Sequence, residues 1–478
     1  MWHKPWVQGQ RLYQAGWLDA AVEQFQKALN ASPDALTLAK IMDVMGRIAM
    51  QRNRHQVGIS WFRQALQALS DHQTPSLDVT FSITMHLNMA LSLGADEDRA
   101  LRGLQRLAPQ VSTQSQRQQA IYHLNLGVVY IHTQLYPQAL EKLRRAQELL
   151  TPNDYAAMGY PLHTNLGVVL IALGDYASAR QELLKALTWS PDTGLHALNE
   201  LTRLAILSND EQQAKEYGQK AIKQMWGSLM TFEKSELANL CEILAQFTAS
   251  TGDAALRRQL IDTAQTLYGQ IGVWRHWRRL QEYLVAPQGR EDPFATPFLA
   301  DIRRFLQLLQ MMLAQDILHE QLPAVADVRT QVAQALASAH GWDRNERHDL
   351  ALVSRLADFG LTAIDYEVVH DPQKSATTWH RYTQHPALSL QLLAPLNLSP
   401  AIMAAIGDHH EQPDGRGFPH GKRQPAISPL AEVFSVAHAY AWDVIYLGTP
   451  HSQALENLEA QAPHRLPASW VKTLFTLF

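Results

Sequence analysis

Two adjacent histidines, His409 and His410, lie shortly before the segment Asp414 to Pro419, which reads Asp-Gly-Arg-Gly-Phe-Pro. Imidazole is a common ligand of transition metals, so a histidine pair can take part in metal chemistry. Glycine adopts positive φ easily and proline fixes its own φ, so turn formation alone also explains the second segment. Two interpretations of the histidines stay open: they bind a metal, or they pack without one against Glu411 and backbone carbonyls.

The run from His409 to Pro419 resembles the signature of the HD-GYP family. That family consists of bacterial helical metallohydrolases, and its active members open the ring of cyclic di-GMP at a centre of two or three metal ions. The resemblance covers roughly residues 320 to 478. It implies an all-helical domain in which the family's site residues can be compared with this sequence position by position.

Several family ligands have counterparts in this sequence. A His-Pro pair ahead of an apolar helix matches His385, and the paired histidines of the family match His409 and His410. The name-giving His-Asp pair matches Ala357-Asp358, in which only the aspartate is kept. By this resemblance Asp358, His385, His409 and His410 form one surviving metal position. Such a set suits one divalent zinc, iron or manganese ion, and the ligand types do not choose among these metals.

Other family residues are replaced. The first family histidine falls near Val328, and the histidine and lysine of the His-Asp motif are replaced by Ala357 and Leu361. The last family aspartate aligns with His438, which is itself a further candidate ligand. Phe418 stands where the family has tyrosine, so it keeps the ring and loses the hydroxyl. By resemblance, these changes dismantle the second metal position and remove a positive contact to phosphate.

The replacements bear on activity. Phosphodiester hydrolysis by this fold depends on metals that activate water and neutralise charge on the phosphate. Because one metal position is lost and Leu361 replaces the lysine, we expect a catalytically silent domain in which Asp358 is a remnant of the catalytic set. The alternative is an active or weakly active cyclic di-GMP phosphodiesterase with a metal site rearranged around His438.

Small residues recur in the first 285 residues with a period near 34, the length of a tetratricopeptide unit. The clearest copy contains Leu166, Gly167, Gly174, Tyr176, Ala179, Leu183, Ala186 and Pro191. A single helix pair cannot bury its apolar face alone, so successive pairs stack into a superhelix with an exposed concave surface. The repeat predicts about six to seven helix pairs over this region.

The remaining chain divides into a linker and a second helical domain. Residues 286–297 hold three prolines and one glycine, which break the helical pattern and predict a domain boundary. Beyond it, the apolar spacing around Phe305 and Leu309 is helical, and no strand pattern is convincing. The predicted fold class is all-α: a tetratricopeptide-repeat superhelix at 1–285, followed by an all-helical, degenerate HD-GYP-like domain at 298–478.

Composition excludes some classes of partner. The net charge of −4 gives no general attraction to nucleic acid or anionic membranes. The most basic aromatic run, residues 274–279, has apolar neighbours at helical spacing and favours a core helix over a nucleic-acid surface. No apolar run approaches the length of a membrane span. The single cysteine, Cys241, excludes an intrachain disulfide. We expect a cytoplasmic protein without DNA binding or membrane insertion.

Together these features predict a bacterial signalling or scaffold protein. The concave surface of the repeats is expected to bind a partner protein, the alternative being a spacer or a dimerisation platform. The helical domain is expected to sense cyclic di-GMP, to dock another enzyme of that signalling system or to serve as a platform, and the sequence does not separate these roles. In the family, the loop is associated with protein contacts, including diguanylate cyclase domains. Its residues here are Asp414, Gly415, Gly417, Phe418 and Pro419.

Overall fold

A computed structural model describes most of the chain. The described residues are 2–31, 33–52, 54–70, 76–94, 96–190, 194–226, 234–251, 253–271, 280, 296–318, 322–371 and 373–478. Within these ranges the secondary structure is helical, and the one β-type pairing is an isolated bridge between Asp414 and Arg423. The predicted all-α class is therefore confirmed.

The chain forms two compact units, and each is described by itself. The first unit draws on residues 1–221 and 233–300, and the second on residues 222–232 and 301–478. The proposed domain limits of 1–285, 286–297 and 298–478 stay a prediction. Most of the proposed linker and the basic aromatic run at 274–279 lie outside the described residues, and a helix begins at Thr296.

Helices follow one another closely through the N-terminal region. They are α1 (His3–Gln14), α2 (Leu18–Asn30), α3 (Ala35–Gln51), α4 (His55–Ser70), α5 (Leu77–Leu93), α6 (Glu97–Val111), α7 (Gln116–His132), α8 (Tyr136–Leu149), α9 (Pro152–Ala172), α10 (Tyr176–Trp189), α11 (Leu195–Leu207), α12 (Glu211–Trp226), α13 (Lys234–Thr251) and α14 (Ala254–Gln270). Consecutive helices pack as pairs, including α3 with α4, α7 with α8, α9 with α10 and α13 with α14. This arrangement is the repeated helix pair that the period of the sequence predicts.

Glycine allows close approach within several of these pairs. A Cβ atom added at Gly167 in α9 would lie 2.5 Å from Cγ of Leu183 in α10. The same contact recurs with the same spacing of sixteen residues. The recurrences are Gly9 with Phe25, Gly46 with Phe62, and Gly127 with Leu143. The large partners are fully buried, so the glycine makes room for the residue that fills the core of each pair.

The C-terminal region begins with two long helices and continues with shorter ones. They are α15 (Thr296–Leu318), α16 (Leu322–Ala339), α17 (Arg344–Leu356), a 3-10 helix (Ala357–Ala363), α18 (Tyr366–His370), α19 (Ala376–Tyr382), α20 (His385–Leu393), a 3-10 turn (Ala394–Leu396), α21 (Pro400–Asp408), α22 (Pro429–Ala441), a π-helical turn (Trp442–Tyr446), α23 (His451–Gln461) and α24 (Ala468–Leu477). Helix α16 packs against α17 and α22, and α20 packs against the 3-10 helix at Ala357–Ala363. These contacts enclose a small set of buried polar residues, which includes Arg329, Asp358, His385 and His409.

No helix in the described part of the chain combines the length and the apolar character that crossing a membrane requires.

The contact between Gly167 and Leu183 makes a testable prediction. We expect Gly167→Ala to lower the free energy of unfolding by about 1–3 kcal/mol, because the new methyl group overpacks a filled core. The matched control is Gly269→Ala in α14, where an added Cβ meets nothing within 4 Å. Alanine favours helix more than glycine does, so the control should be neutral or slightly stabilising. Denaturant unfolding of both variants measures this difference, and equal losses would contradict the role of the close contact.

Candidate metal centre

Four candidate ligands meet in the interior of the second unit. One ligand atom each from Asp358, His385, His409 and His410 lies within 4.8 Å of the others. Oδ1 of Asp358 is 3.6 Å from Nε2 of His409 and 3.8 Å from Nε2 of His385. The structure therefore brings together the four residues that the resemblance assigns to one metal position.

The orientation of two imidazole rings suits a cation. Nδ1 of His385 lies 2.8 Å from the carbonyl oxygen of Tyr382, and Nδ1 of His409 lies 2.6 Å from that of Ile406. A carbonyl only accepts, so each Nδ1 carries its ring's proton and donates it. The two Nε2 atoms then present lone pairs to each other at 3.0 Å. A metal ion between them would turn this contact of two acceptors into coordination, with the backbone carbonyls fixing the rings.

His410 completes the set from the neighbouring position. Its Nε2 atom is buried and has no hydrogen-bond partner. Burial, followed by the nearby rings of His409 and His385, lowers the pKa of His410 well below its ordinary value. Burial likewise lowers the pKa of His385 to about 3. Neutral imidazoles with an available lone pair are the form that binds metals, so this donor set fits one divalent ion.

Gly360 allows Asp358 to reach the histidines. A Cβ atom at Gly360 would lie 2.1 Å from the carbonyl oxygen of His385, so only glycine fits where the 3-10 helix crosses α20. The Gly360 amide donates to Oγ of Ser389 at 2.7 Å, and this hydroxyl donates to the carbonyl of Ala357 at 2.6 Å. The carboxylate is thus positioned by backbone contacts on both sides.

An arginine that sequence analysis did not select lies on the other side of Asp358. Arg329 is 1% exposed, and its Nη1 donates to Oδ2 of Asp358. Its Nε and Nη2 donate to the carbonyl oxygen of Ser354 at 2.9 and 2.5 Å. The guanidinium carbon also lies 4.6 Å from the centre of the Phe434 ring, a cation–π contact. Arg329 follows Val328, the position near which the resemblance expected a ligand.

Charge balance in the centre depends on this arginine. Burial alone would raise the pKa of Asp358, but the Arg329 cation beside it holds that pKa well below its usual value. The carboxylate is therefore ionised, and its charge is compensated inside the protein.

His438 lies beside the four clustered ligands, and its Nδ1 faces the arginine. Nη1 of Arg329 is 2.8 Å from Nδ1 of His438, which must act as the acceptor because a guanidinium only donates. Burial lowers the pKa of His438 to about 3, so the ring is neutral, and it stacks on Phe434 with ring centres 5.4 Å apart. Nδ1 of this candidate ligand is therefore bonded to Arg329.

The two replaced positions of the His-Asp motif are apolar and buried. Ala357 is 0% exposed at the start of the 3-10 helix. Leu361 packs in an apolar cluster with Leu322 and Val369. Neither side chain offers a ligand or a charge to the centre.

The glycine-rich loop folds back over the histidines. The Phe418 ring stacks on His410, with ring centres 4.5 Å apart and planes at 24°. The Phe418 amide donates to the carbonyl of His410 at 3.2 Å. Gly415 has φ of +75°, and a Cβ at Gly417 would lie 2.4 Å from the same carbonyl oxygen. Of the loop residues selected from sequence, Pro419 is exposed, and Asp414, Gly415, Gly417 and Phe418 are half-buried.

The pair between Arg329 and Asp358 generates a stability prediction. In chelator-treated protein, Arg329→Met should cost about 3–5 kcal/mol of unfolding free energy, because it leaves a buried carboxylate without its cation. The same substitution should cost much less in an Asp358→Asn background, in which no charge remains to compensate. Denaturant unfolding of the four proteins in this cycle measures the coupling, and additive losses would show that the two charges are not coupled.

Comparisons with known proteins agree with the two kinds of helical region. A family model described as "HD domain" matches residues 309–467, and one described as "Tetratricopeptide repeat" matches residues 160–193. None of the curated proteins matches this chain.

Several solved structures are similar to parts of the chain. A V. cholerae cyclic GMP-AMP-specific phosphodiesterase is 18% identical over 35% of this chain and 46% of its own, with a TM-score of 0.30. Bd1817, an HDG"Y"P protein from Bdellovibrio bacteriovorus, is 16% identical over 56% of this chain and 80% of its own, with a TM-score of 0.29. A tetratricopeptide repeat protein from Parabacteroides merdae is 14% identical over 59% of this chain and 97% of its own, with a TM-score of 0.37. By the two family models, this chain carries tetratricopeptide repeats followed by an HD domain.

Proposed function

We propose that this chain is a bacterial, cytoplasmic signalling or scaffold protein with an HD-GYP-like domain that is catalytically silent. The observation that carries this proposal is the bond between Arg329 and Asp358. Hydrolysis of a phosphodiester by paired metals needs ions that bracket the attacking and leaving oxygens. One carboxylate oxygen at this centre is already taken by a buried guanidinium, which cannot carry a reactive water.

Access to the cluster supports the same conclusion. Asp358, His385 and His409 are between 0% and 3% exposed. Phe418 covers His410, and its ring also lies 6.3 Å from the ring of Tyr382. Because these ligands are almost completely buried, the phosphate of a cyclic dinucleotide would reach them only if the loop moved.

One divalent ion, zinc, iron or manganese, is proposed at Asp358, His385, His409 and His410. The donor set fits such an ion because the lone pairs of His385 and His409 converge and Nε2 of His410 is unpartnered. When bound, the ion would supply Lewis acidity and would cross-link the elements that carry its ligands. The protein's own residues orient the rings through the carbonyls of Tyr382 and Ile406.

A protein partner is proposed for the repeats. Tetratricopeptide repeats generally mediate contacts between proteins, and the first helices of successive pairs here carry interlocked polar side chains. Arg47 in α3 lies over the ring of Tyr13 in α1 at 5.2 Å, and Asp43 contacts Nδ1 of His86 in α5 at 2.7 Å. Asp43 is buried, whereas Tyr13, Arg47 and His86 are half-buried and would supply directional contacts for a partner.

The second partner surface is proposed at the loop of Asp414, Gly415, Gly417, Phe418 and Pro419. Its ordered shape and the exposure of Arg416 and Pro419 support a docking role, with a diguanylate cyclase domain as the proposed partner. Cyclic di-GMP is the proposed signal to which this domain is linked.

Metal content tests the centre directly. We expect about one divalent ion per chain in protein purified without chelator, because four neutral or anionic donors converge. A His409→Ala/His410→Ala variant should lose the ion, and Asp349→Ala, outside the cluster, is the matched control. Elemental analysis makes the measurement, and circular dichroism checks that each variant is folded. Metal that persists in the double variant would place it elsewhere.

Turnover separates the silent domain from a working phosphodiesterase. Metal-loaded protein incubated with cyclic di-GMP should give no ring-opened dinucleotide above the His409→Ala/His410→Ala control, because Arg329 occupies one side of Asp358. Chromatography of the nucleotides and equilibrium dialysis of the same samples separate cleavage from binding. Binding without cleavage would support a sensor. Absence of both binding and cleavage would support a platform. Cleavage that depends on the two histidines would instead establish the rearranged enzyme.

A further inference from the structure

The two oxygens of Asp358 face two different environments. Oδ1 faces the proposed metal position, at 3.6 Å from Nε2 of His409. Oδ2 accepts a hydrogen bond from Nη1 of Arg329. A carboxylate with this geometry bridges two positive positions, and in this protein the positive group on the Oδ2 side is an arginine.

Arg329 is held firmly in that position. Its side chain is 1% exposed, and its Nε and Nη2 both donate to the carbonyl oxygen of Ser354. Phe434 covers one face of the guanidinium. Moving the cation away would break these contacts and leave the Asp358 charge buried alone, which is costly.

The other possible metal ligand on the Oδ2 side of Asp358 is His438, and it is bonded to Nη1 of Arg329 as well. Nη1 of Arg329 carries two hydrogens, and its two acceptors are Oδ2 of Asp358 and Nδ1 of His438. A metal ion on the Oδ2 side of Asp358 would need the lone pairs of these same two atoms. A second metal would therefore have to displace a buried cation from both ligands.

We infer that Arg329 is a built-in cation that fills the second cation position of this centre, so that the domain accepts one metal ion and not two. The inference rests on the proposed metal site at Asp358, His385, His409 and His410. It assigns Arg329 a specificity role, because this residue fixes the number of metals, and it makes His438 a ligand that a second metal would need. It also explains how the domain keeps its buried carboxylate compensated when the second metal position is lost.

Manganese titration of the full chain tests the inference. Protein freed of metal is titrated with Mn²⁺, and bound ions are counted by elemental analysis while electron paramagnetic resonance reports whether neighbouring ions are coupled. Two variants remove the cation and place a neutral ligand group on the side of Oδ2 of Asp358: Arg329→His and Arg329→Gln. Circular dichroism checks folding, and either folded variant is sufficient for the test.

The expected result is about one Mn²⁺ per chain in the wild type and about two, with a coupled spectrum, in a folded Arg329 variant. His438→Ala should leave the wild-type count unchanged, but should return the Arg329 variant to one ion. Two ions in the wild type, or no gain in either folded variant, would overturn the inference. A wild type without metal beside an Arg329 variant that binds it would refute the proposed metal site and still support exclusion by Arg329. Absence of metal from every protein would refute both.

Discussion

The buried ion pair between Arg329 and Asp358 fixes the interior of the HD domain. Arg329 belongs to α16 and Asp358 to the 3-10 helix after α17, while Phe434 and His438 reach the guanidinium from α22. An unpaired charge in this interior would cost several kcal/mol, so each charged residue requires the other. Apolar contacts between the same helices tolerate exchanges of similar volume more easily. The charges therefore restrict, more than the packing does, which residues can occupy positions 329 and 358.

The histidine side of Asp358 depends on a second constraint, which is space. The 3-10 helix crosses α20 so closely that Gly360 lies against the backbone of His385. This approach places the carboxylate within 4 Å of His385 and His409, which come from the beginning of α20 and from the residue after α21. Backbone carbonyls orient both rings, so the chain itself directs the two Nε2 atoms toward each other and toward Asp358.

The sequence could predict the elements with strong local or family patterns. The period of 34 residues predicts stacked helix pairs. The resemblance to the HD-GYP family assigns Asp358, His385, His409 and His410 to one metal position, and the structure places these residues within reach of one ion. Arg329 could not be found this way, because an arginine in a helix ordinarily indicates an exposed position. Its partners lie 25, 29 and 109 residues away, so only the folded chain shows them together. The loss of the histidine beside Asp358 was the available signal, since a buried carboxylate that loses a metal needs another cation.

The loop and the candidate metal centre form one structural unit through His410. The backbone carbonyl of His410 accepts from the Phe418 amide, its ring stacks on the Phe418 ring, and one of its ring nitrogens belongs to the ligand cluster. Glu411, the next residue, accepts from the amides of His420 and Lys422 at 2.7 and 2.8 Å and so closes the loop on itself. Because ring packing and backbone bonding converge on one residue, a ligand that reorients His410 must also move Phe418. The buried centre and the loop surface that the proposed partner would meet are therefore in direct contact through His410.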